Sequence, residues 1–297
     1  MGAVARAALA HHLEMLQRHM GGARAGRVAA VHQLRVSTRR LRAALALFES
    51  VLPRRTSARM NEELGWLGRT IGPVRDLDVL RVDLARRSRE LDPVLAPALT
   101  TVLRHAGDRR SAAHGILVDA LDAPRTQRLV VQLTALAGSA LPTPARVACA
   151  LVAPTLVRPL VRAVRHASRG VDDSVSPDVL HRLRVRVKRL RYALEAVSDD
   201  QMGATRTLGK RLAALQELLG AQHDAVSQQA WLRTEAAEFA DDPQTLLAVG
   251  ALCEVLRRRA RRLARRAPPA IDRALRRKLM AAALGELGRR AATRDAA

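Results

Sequence analysis

The stretch that decides the fold runs from Val31 to Leu45 and reads VHQLRVSTRRLRAAL. It returns between Leu180 and Leu194 as LHRLRVRVKRLRYAL, 149 positions later, with nine of the fifteen residues identical. In both copies apolar residues recur every three or four positions, which is the spacing of one face of an α-helix. The sequence therefore predicts an amphipathic helix that occurs twice.

A shorter match follows each copy at an offset of 148 and aligns Gly72 and Arg75-Asp76 with Gly220 and His223-Asp224. Half of the 297 residues is about 149, so the simplest explanation is the duplication of one helical unit. We predict an all-α, internally duplicated fold with helical bundles at residues 1–143 and 144–297. We expect these two antiparallel bundles to be related by a pseudo-twofold axis around a central basic groove or pore.

The rest of the chain also favours helices, because Leu, Ala, Arg and Glu dominate and no alternating strand pattern is present. Glycine and proline mark the expected helix ends, among them Gly21-Gly22, Gly72-Pro73 and Gly220. The repeated helix of the second half is predicted to span Pro177–Val197. Aspartates that follow two of these breaks, Asp76, Asp78 and Asp224, are interpreted as helix caps that also pair with nearby arginines.

Composition restricts the classes of function. The chain has 51 Lys and Arg against 28 Asp and Glu, a net charge of +23, while 48% hydrophobic residues indicate a folded protein. Five aromatic residues argue against a stacking platform for single-stranded nucleic acid. Two cysteines give no disulfide framework, and neither a secretory signal nor a membrane span is visible. These features predict a soluble cytoplasmic protein.

The repeated helix carries four cations within an arc of about 80° beside its apolar face. We call His32, Arg35, Arg39 and Arg42 the first arc. The second arc consists of His181, Arg184, Lys188 and Arg191.

A solvated charged surface is the simplest alternative explanation of each arc. Neither arc contains a carboxylate, however, and the same pattern occurs in both halves. Arginine also forms forked hydrogen bonds to phosphate oxygens, and His and Lys add point contacts. We therefore predict that the two arcs form the facing walls of one groove, and that this groove binds a phosphate polyanion.

These motifs resemble the CHAD family, which is named for histidines on an α-helical domain. The resemblance covers nearly the whole chain and implies two helical bundles that together form one CHAD-like domain. It implies binding of inorganic polyphosphate, localisation to polyphosphate granules in some members, and here a stand-alone member without a triphosphatase domain. The residues that carry the implied binding are His32, Arg35, Arg39, Arg40, Arg42, Arg75, His181, Arg184, Lys188, Arg189, Arg191 and His223.

Further arginines are candidates for an extension of the groove because they share helix faces. These candidates are Arg104, Arg109, Arg258, Arg262 and Arg265. No metal-ligand spacing, phosphate-binding glycine loop or catalytic triad is visible in the sequence. We therefore expect no metal, no cofactor and no catalytic residue.

The residues alone predict non-enzymatic binding of a phosphate polyanion. The resemblance to the CHAD family implies that this ligand is inorganic polyphosphate and that the cytoplasmic protein associates with polyphosphate granules. The alternative is a nucleoid-type protein that binds nucleic acid without sequence preference, because a basic protein of this charge binds DNA weakly at low salt. No membrane partner is expected. Competition between polyphosphate and duplex DNA distinguishes the two hypotheses.

Overall fold

The computed structural model describes residues 2–49, 52–139, 149–172, 175–197 and 202–295. Every regular element in these residues is helical, as the sequence predicts. The chain divides into two compact units, which we call unit 1, Met1–Arg146, and unit 2, Val147–Ala297.

Unit 1 is built from helices that each pack on the next helix along the chain, and its last helix returns to its first. In chain order these are α1 (Gly2–Arg24), α2 (Val28–Leu47), α3 (Arg54–Arg87), α4 (Ala96–Asp122) and α5 (Pro124–Gly138). Two short 3₁₀ segments, Ser88–Glu90 and Pro93–Leu95, join α3 to α4.

Unit 2 has the same order of neighbours for its first four helices, and its last helix likewise packs on its first. Its helices are α6 (Cys149–Ala167), α7 (Pro177–Val197), α8 (Gly203–Glu235), α9 (Pro243–Arg265), α10 (Ala267–Ala274) and α11 (Arg277–Asp295). A 3₁₀ turn, Ala236–Phe239, joins α8 to α9.

The apolar stripes of the repeated helices form the centre of each unit. On α2, Leu34 and Leu41 are fully buried, and Leu183 and Leu190 of α7 are equally inaccessible. Burial of a leucine side chain contributes about 1.5–3 kcal/mol, so these stripes fix the rotation of both helices. The cations beside each stripe are thereby held at the edge of the core.

Two predicted helix ends are wrong. α3 continues through Gly72-Pro73, and α8 continues through Gly220. Pro73 removes only one backbone hydrogen bond, and the buried residues Ile71 and Val74 on either side of the dipeptide hold the helix together. Local turn signals are therefore overridden by packing.

The predicted end at Gly21-Gly22 is also wrong, because α1 runs on to Arg24. The chain turns instead at Gly26, whose φ of 71° lies in the left-handed region that favours glycine. Arg110 of α4 donates to the Gly26 carbonyl over 2.7 Å, and a ring nitrogen of His114 lies 2.9 Å from the Ala23 carbonyl. Contacts from α4 therefore stabilise this turn.

Candidate basic site in each unit

The first arc lies along α2 on the side that meets α3. His32, Arg35 and Arg39 are half-buried and Arg42 is exposed. Partial burial is usual for a long cationic side chain, whose apolar stem packs against protein.

Glycines of α3 provide the surface on which this arc rests. A Cβ added to Gly72 would lie 2.9 Å from Nη1 of Arg35, and one added to Gly65 would lie 3.6 Å from Cζ of Arg42. A side chain at Gly72 would therefore displace the Arg35 guanidinium. The backbone of α3 therefore determines how closely the side chains of the arc approach this helix.

Hydrogen-bond partners from α3 also orient the arc. Arg42 donates from Nε to Oδ1 of Asn61 over 3.0 Å, and Nη2 of Arg35 lies 3.4 Å from Oδ1 of Asp76. The Asp76 side chain is 70% exposed, so this pair is worth at most about 1 kcal/mol. An incoming phosphate can replace that carboxylate.

The predicted capping role of the aspartates is wrong, because all three lie inside continuous helices. The predicted pairing with arginines is confirmed for Asp76 and also for Asp78, which is buried and accepts from Nε of Arg110 over 2.9 Å. Asp78 therefore joins α3 to α4. Asp224 is exposed on α8.

The surroundings of the first arc disfavour the charged form of its histidine. Burial lowers the pKa of His32, and the positive charges of Arg75, Arg39 and Arg35 lower it further. Arg75 is half-buried on α3, so the structure brings this predicted residue to the arc. A bound anion would reverse the electrostatic part of this shift.

The second arc repeats this arrangement on α7. A Cβ on Gly220 of α8 would lie 4.0 Å from Nε of Arg184, and Arg191 donates from Nε to Oε1 of Gln216 over 3.1 Å. A carboxylate is present here as well, since Nη1 of Arg191 lies 2.9 Å from Oε1 of Glu195 one turn later.

A histidine pair occupies the beginning of the second arc. Nδ1 of His181 lies 3.3 Å from Nδ1 of His223, and the ring centroids are 4.5 Å apart. Burial lowers the pKa of His181, as do the charges of Arg184 and Lys188, and Asp178 opposes them. His32 with Arg75 and His181 with His223 thus occupy corresponding places in the two units.

Two predicted residues lie outside the arcs. Arg40 and Arg189 each lie about 80° around their helix from the arc histidine. Arg40 lies beside His12 of α1 instead, where burial first, and then the charges of Arg40 and His11, lower the pKa of His12 to about 4. Arg189 is exposed.

The candidates for an extended groove remain predictions. Arg104 and Arg109 are exposed on α4, and Arg262 and Arg265 are exposed near the end of α9. Arg258 donates to Glu254 over 2.6 Å, and the same carboxylate also accepts from Arg257. These two arginines lower the pKa of Glu254 to about 2.

The residues of α3 and α8 that contact the arcs were not identified from the sequence. Asn61, Gly65 and Gln216 belong to no motif, although the alignment of Gly72 with Gly220 marked two of the glycines. Within the described ranges, no three His, Cys, Asp or Glu side chains are grouped so that they could hold a metal ion. No helix in the same ranges combines the length and apolar character needed to cross a membrane.

The pattern that defines the CHAD domain matches residues 7–233. The chain belongs to the CHAD family. The crystal structure of the CHAD domain from the plant Ricinus communis superposes with a TM-score of 0.75 at 28% identity, covering 93% of this chain and 92% of that one. PptA from Streptomyces chartreusis shares the fold, with a TM-score of 0.72 at 23% identity over 92% of this chain and 98% of its own.

Curated relatives are longer than this chain. An uncharacterized protein of Mycobacterium tuberculosis, from strain CDC 1551 / Oshkosh, is 30% identical over 247 residues, which cover 77% of this chain. Its counterpart in strain H37Rv matches to the same extent. The CHAD chain spans about half the length of these relatives, since the match covers 45% of each.

Proposed function

We propose that this CHAD protein binds inorganic polyphosphate and acts as a binding protein and not as an enzyme. The observation that carries the proposal is the arc of four cations beside the core of each unit, with an arginine of each arc next to a glycine of the following helix. Family membership supports the same ligand, because the CHAD resemblance implies polyphosphate.

The chemistry of the arcs fits a chain of phosphoryl groups. Guanidinium groups donate forked hydrogen bonds to phosphoryl oxygens and keep their charge at any physiological pH. Inorganic polyphosphate has neither bases nor sugars, and neither arc contains a Phe, Tyr or Trp on which a base could stack. Tyr192, whose ring lies against the Arg191 guanidinium, is buried. The exposed Arg35–Asp76 pair is weak enough for phosphate to displace it.

We further infer that the two units are copies of one ancestral unit. The repeated sequence, the matching order of helix neighbours and the corresponding contacts of Gly72 and Gly220 support this inference. A protein with one arc in each unit can attach to polyphosphate at two places, and two linked attachments would strengthen its association with a polyphosphate granule.

The competing hypothesis is binding that depends on net charge alone, as in a nucleoid-type protein. With a charge of +23 the protein is expected to bind DNA at low salt through the release of counterions. Two variants with the same charge separate the hypotheses. The arc variant is Arg35→Ala, Arg39→Ala, Arg184→Ala and Arg191→Ala, and the control variant is Arg54→Ala, Arg89→Ala, Arg162→Ala and Arg165→Ala.

The experiment measures binding of labelled long-chain polyphosphate at physiological salt, with duplex DNA at equal phosphate concentration as competitor. We expect the arc variant to lose at least about tenfold in affinity, or about 1.4 kcal/mol, while the control changes little. DNA should compete poorly. Equal losses in both variants, with circular dichroism unchanged, would favour the nucleoid-type hypothesis.

A further inference from the structure

A second group of arginines surrounds a pocket in unit 2 with a volume of about 390 Å³. Arg211 comes from α8, Arg266 from the junction of α9 and α10, Arg273 from α10, and Arg276 from the residues before α11. The remaining lining residues are apolar, namely Ala214, Leu215, Leu218, Ala270 and Ala274. In the part of the chain that the structure describes, no carboxylate lines this pocket, which we call the α8–α10 pocket.

The α8–α10 pocket lies on the opposite side of α8 from the second arc. Arg211 and Gly220 are nine positions apart, which corresponds to about 180° around an α-helix. Gly220 faces the second arc, since a Cβ added to it would lie 4.0 Å from Nε of Arg184. The pocket is therefore separate from the proposed polyphosphate site.

Backbone carbonyls hold two of the four guanidinium groups in place. Arg211 donates from Nη1 to the carbonyl of Arg273 over 2.9 Å, and Arg273 donates from Nε to the carbonyl of Pro269 over 3.2 Å. Each bond uses one of the five N–H groups of its side chain, and the others stay available for a ligand. Among the described residues, no carboxylate forms an ion pair with any of the four arginines.

Four cations around one small cavity repel one another unless an anion offsets their charge. Three of them, Arg266, Arg273 and Arg276, lie beyond residue 233, where the match to the family pattern ends. The cavity has the size of a small-molecule site, whereas each arc is an open helix surface. Its shape suits a short anion better than an extended polymer.

We propose that the α8–α10 pocket binds a short chain of phosphoryl groups, either inorganic triphosphate or the triphosphate of a nucleotide. The arginines donate to the phosphoryl oxygens, and their number is comparable to the charge of a triphosphate. The apolar floor can bury an organic group, so the nucleotide is expected to bind more tightly than inorganic triphosphate.

The test uses calorimetry of the full chain with inorganic triphosphate and with ATP, without magnesium, at physiological salt. The pocket variant is Arg266→Gln with Arg276→Gln, because neither side chain makes a hydrogen bond or ion pair within the described residues. The matched control is Arg162→Gln with Arg165→Gln, two exposed arginines of α6. The four-residue arc variant is titrated in the same way.

We expect one saturable site whose dissociation constant rises at least about tenfold in the pocket variant and stays unchanged in the control and in the arc variant. Tighter binding of ATP would assign the pocket to nucleotides, and equal or tighter binding of triphosphate would assign it to the inorganic anion. The proposal is overturned if the wild type shows no saturable binding, if the control weakens as much as the pocket variant, or if the arc variant abolishes binding. Because the arc variant tests the polyphosphate proposal separately, failure of one proposal leaves the other intact.

Discussion

At Gly72 the absence of a Cβ decides where Arg35 lies. The corresponding Gly220 has more room, since its added Cβ would be in ordinary contact with Arg184 at 4.0 Å instead of 2.9 Å from Arg35. The two glycines therefore form a matched pair in which one restricts an arc residue and the other does not.

Replacing each glycine by alanine should separate helix stability from ligand binding. Both Gly72→Ala and Gly220→Ala should stabilise their helices by up to about 1 kcal/mol, because alanine favours the helix interior. Only Gly72→Ala should weaken polyphosphate binding, by several-fold, because the Arg35 guanidinium must move. Thermal unfolding and a fluorescence titration measure the two effects. Equal affinities in both variants would show that the position of Arg35 does not matter.

The arc histidines should make binding depend on pH. In the free protein the pKa values of His32 and His181 are lowered, so both rings are largely neutral at pH 7. A polyanion favours the protonated ring and raises both pKa values, so binding takes up protons. Affinity should therefore increase as the pH falls from about 7.5 to about 5.5.

The variant His32→Gln with His181→Gln is the control for this pH profile, and calorimetry in buffers of different ionisation enthalpy counts the protons taken up. The stability of the free protein should depend on pH in the opposite direction to the affinity. Below the unfolded histidine pKa of about 6.5, the unfolded chain binds more protons than the native one, so stability should fall with decreasing pH. An equally steep affinity profile in the variant would assign the protons to other groups.

At the scale of single elements, the beginning of α8 depends on a residue of α11. The Glu286 carboxylate accepts from the backbone N–H groups of Ala204 and Thr205, each over 2.8 Å, and from the Thr205 hydroxyl over 2.9 Å. α8 has no acidic residue in its own first turn. Glu286 therefore performs the task of a helix cap from a distant part of the sequence.

Removing this contact should destabilise unit 2. Glu286→Ala should lower the free energy of unfolding by about 1–2 kcal/mol, the usual effect of losing a helix cap. Burial raises the pKa of Glu286, but its hydrogen bonds to Ala204 and Thr205 outweigh that effect and the pKa is lowered. The contribution should thus be present above about pH 4.5 and lost as the pH falls through the lowered value.

Urea unfolding of wild type and Glu286→Ala at neutral pH and near pH 3 tests this expectation. The two proteins should differ at neutral pH and converge in acid. Glu286→Gln serves as the isosteric control and should retain part of the effect, since its amide oxygen still accepts one hydrogen bond. A constant difference at both pH values would contradict the role of the ionised carboxylate.

The elements also show which structural features local sequence can predict. The bounds of α7, Pro177–Val197, agree with the prediction because periodicity, a proline at the start and an acidic residue in the first turn all coincide. The arcs follow from the same periodicity. Two other features depend on which helices pack together: the continuity of α3 through Pro73, and the contacts of Asn61 and Gln216 with the arcs. The pattern of residues along one helix does not contain that information.

At the scale of the whole molecule, the chain carries two arcs that are covalently connected. A polyphosphate that is attached to one arc experiences a high effective concentration of the other when it is long enough to reach it. Removal of either arc should then reduce the affinity for long chains far more than twofold. A ligand of only a few phosphates should lose much less.

The dependence of polyphosphate affinity on salt concentration tests whether both arcs bind one chain. The logarithm of the affinity should fall linearly with the logarithm of the salt concentration. The slope is proportional to the number of phosphates contacted and is roughly 0.9 per contact for duplex DNA. Variants that lack one arc, Arg35→Ala with Arg39→Ala or Arg184→Ala with Arg191→Ala, should each show about half of the wild-type slope. Two sites of equal affinity that do not respond to each other's removal would refute joint binding.

The choice of cation also determines how the charge of the arcs can be regulated. Of the three lysines in the chain, Lys188 is the one that belongs to an arc. Acetylation removes the charge of lysine but not that of arginine. The three arginines of the first arc thus keep their charge in the presence of an acetyltransferase, whereas the second arc can lose one positive charge at Lys188. Protection of Lys188 from an amine-acylating reagent, compared with the exposed Lys210 and Lys278, would therefore report the occupancy of the second arc.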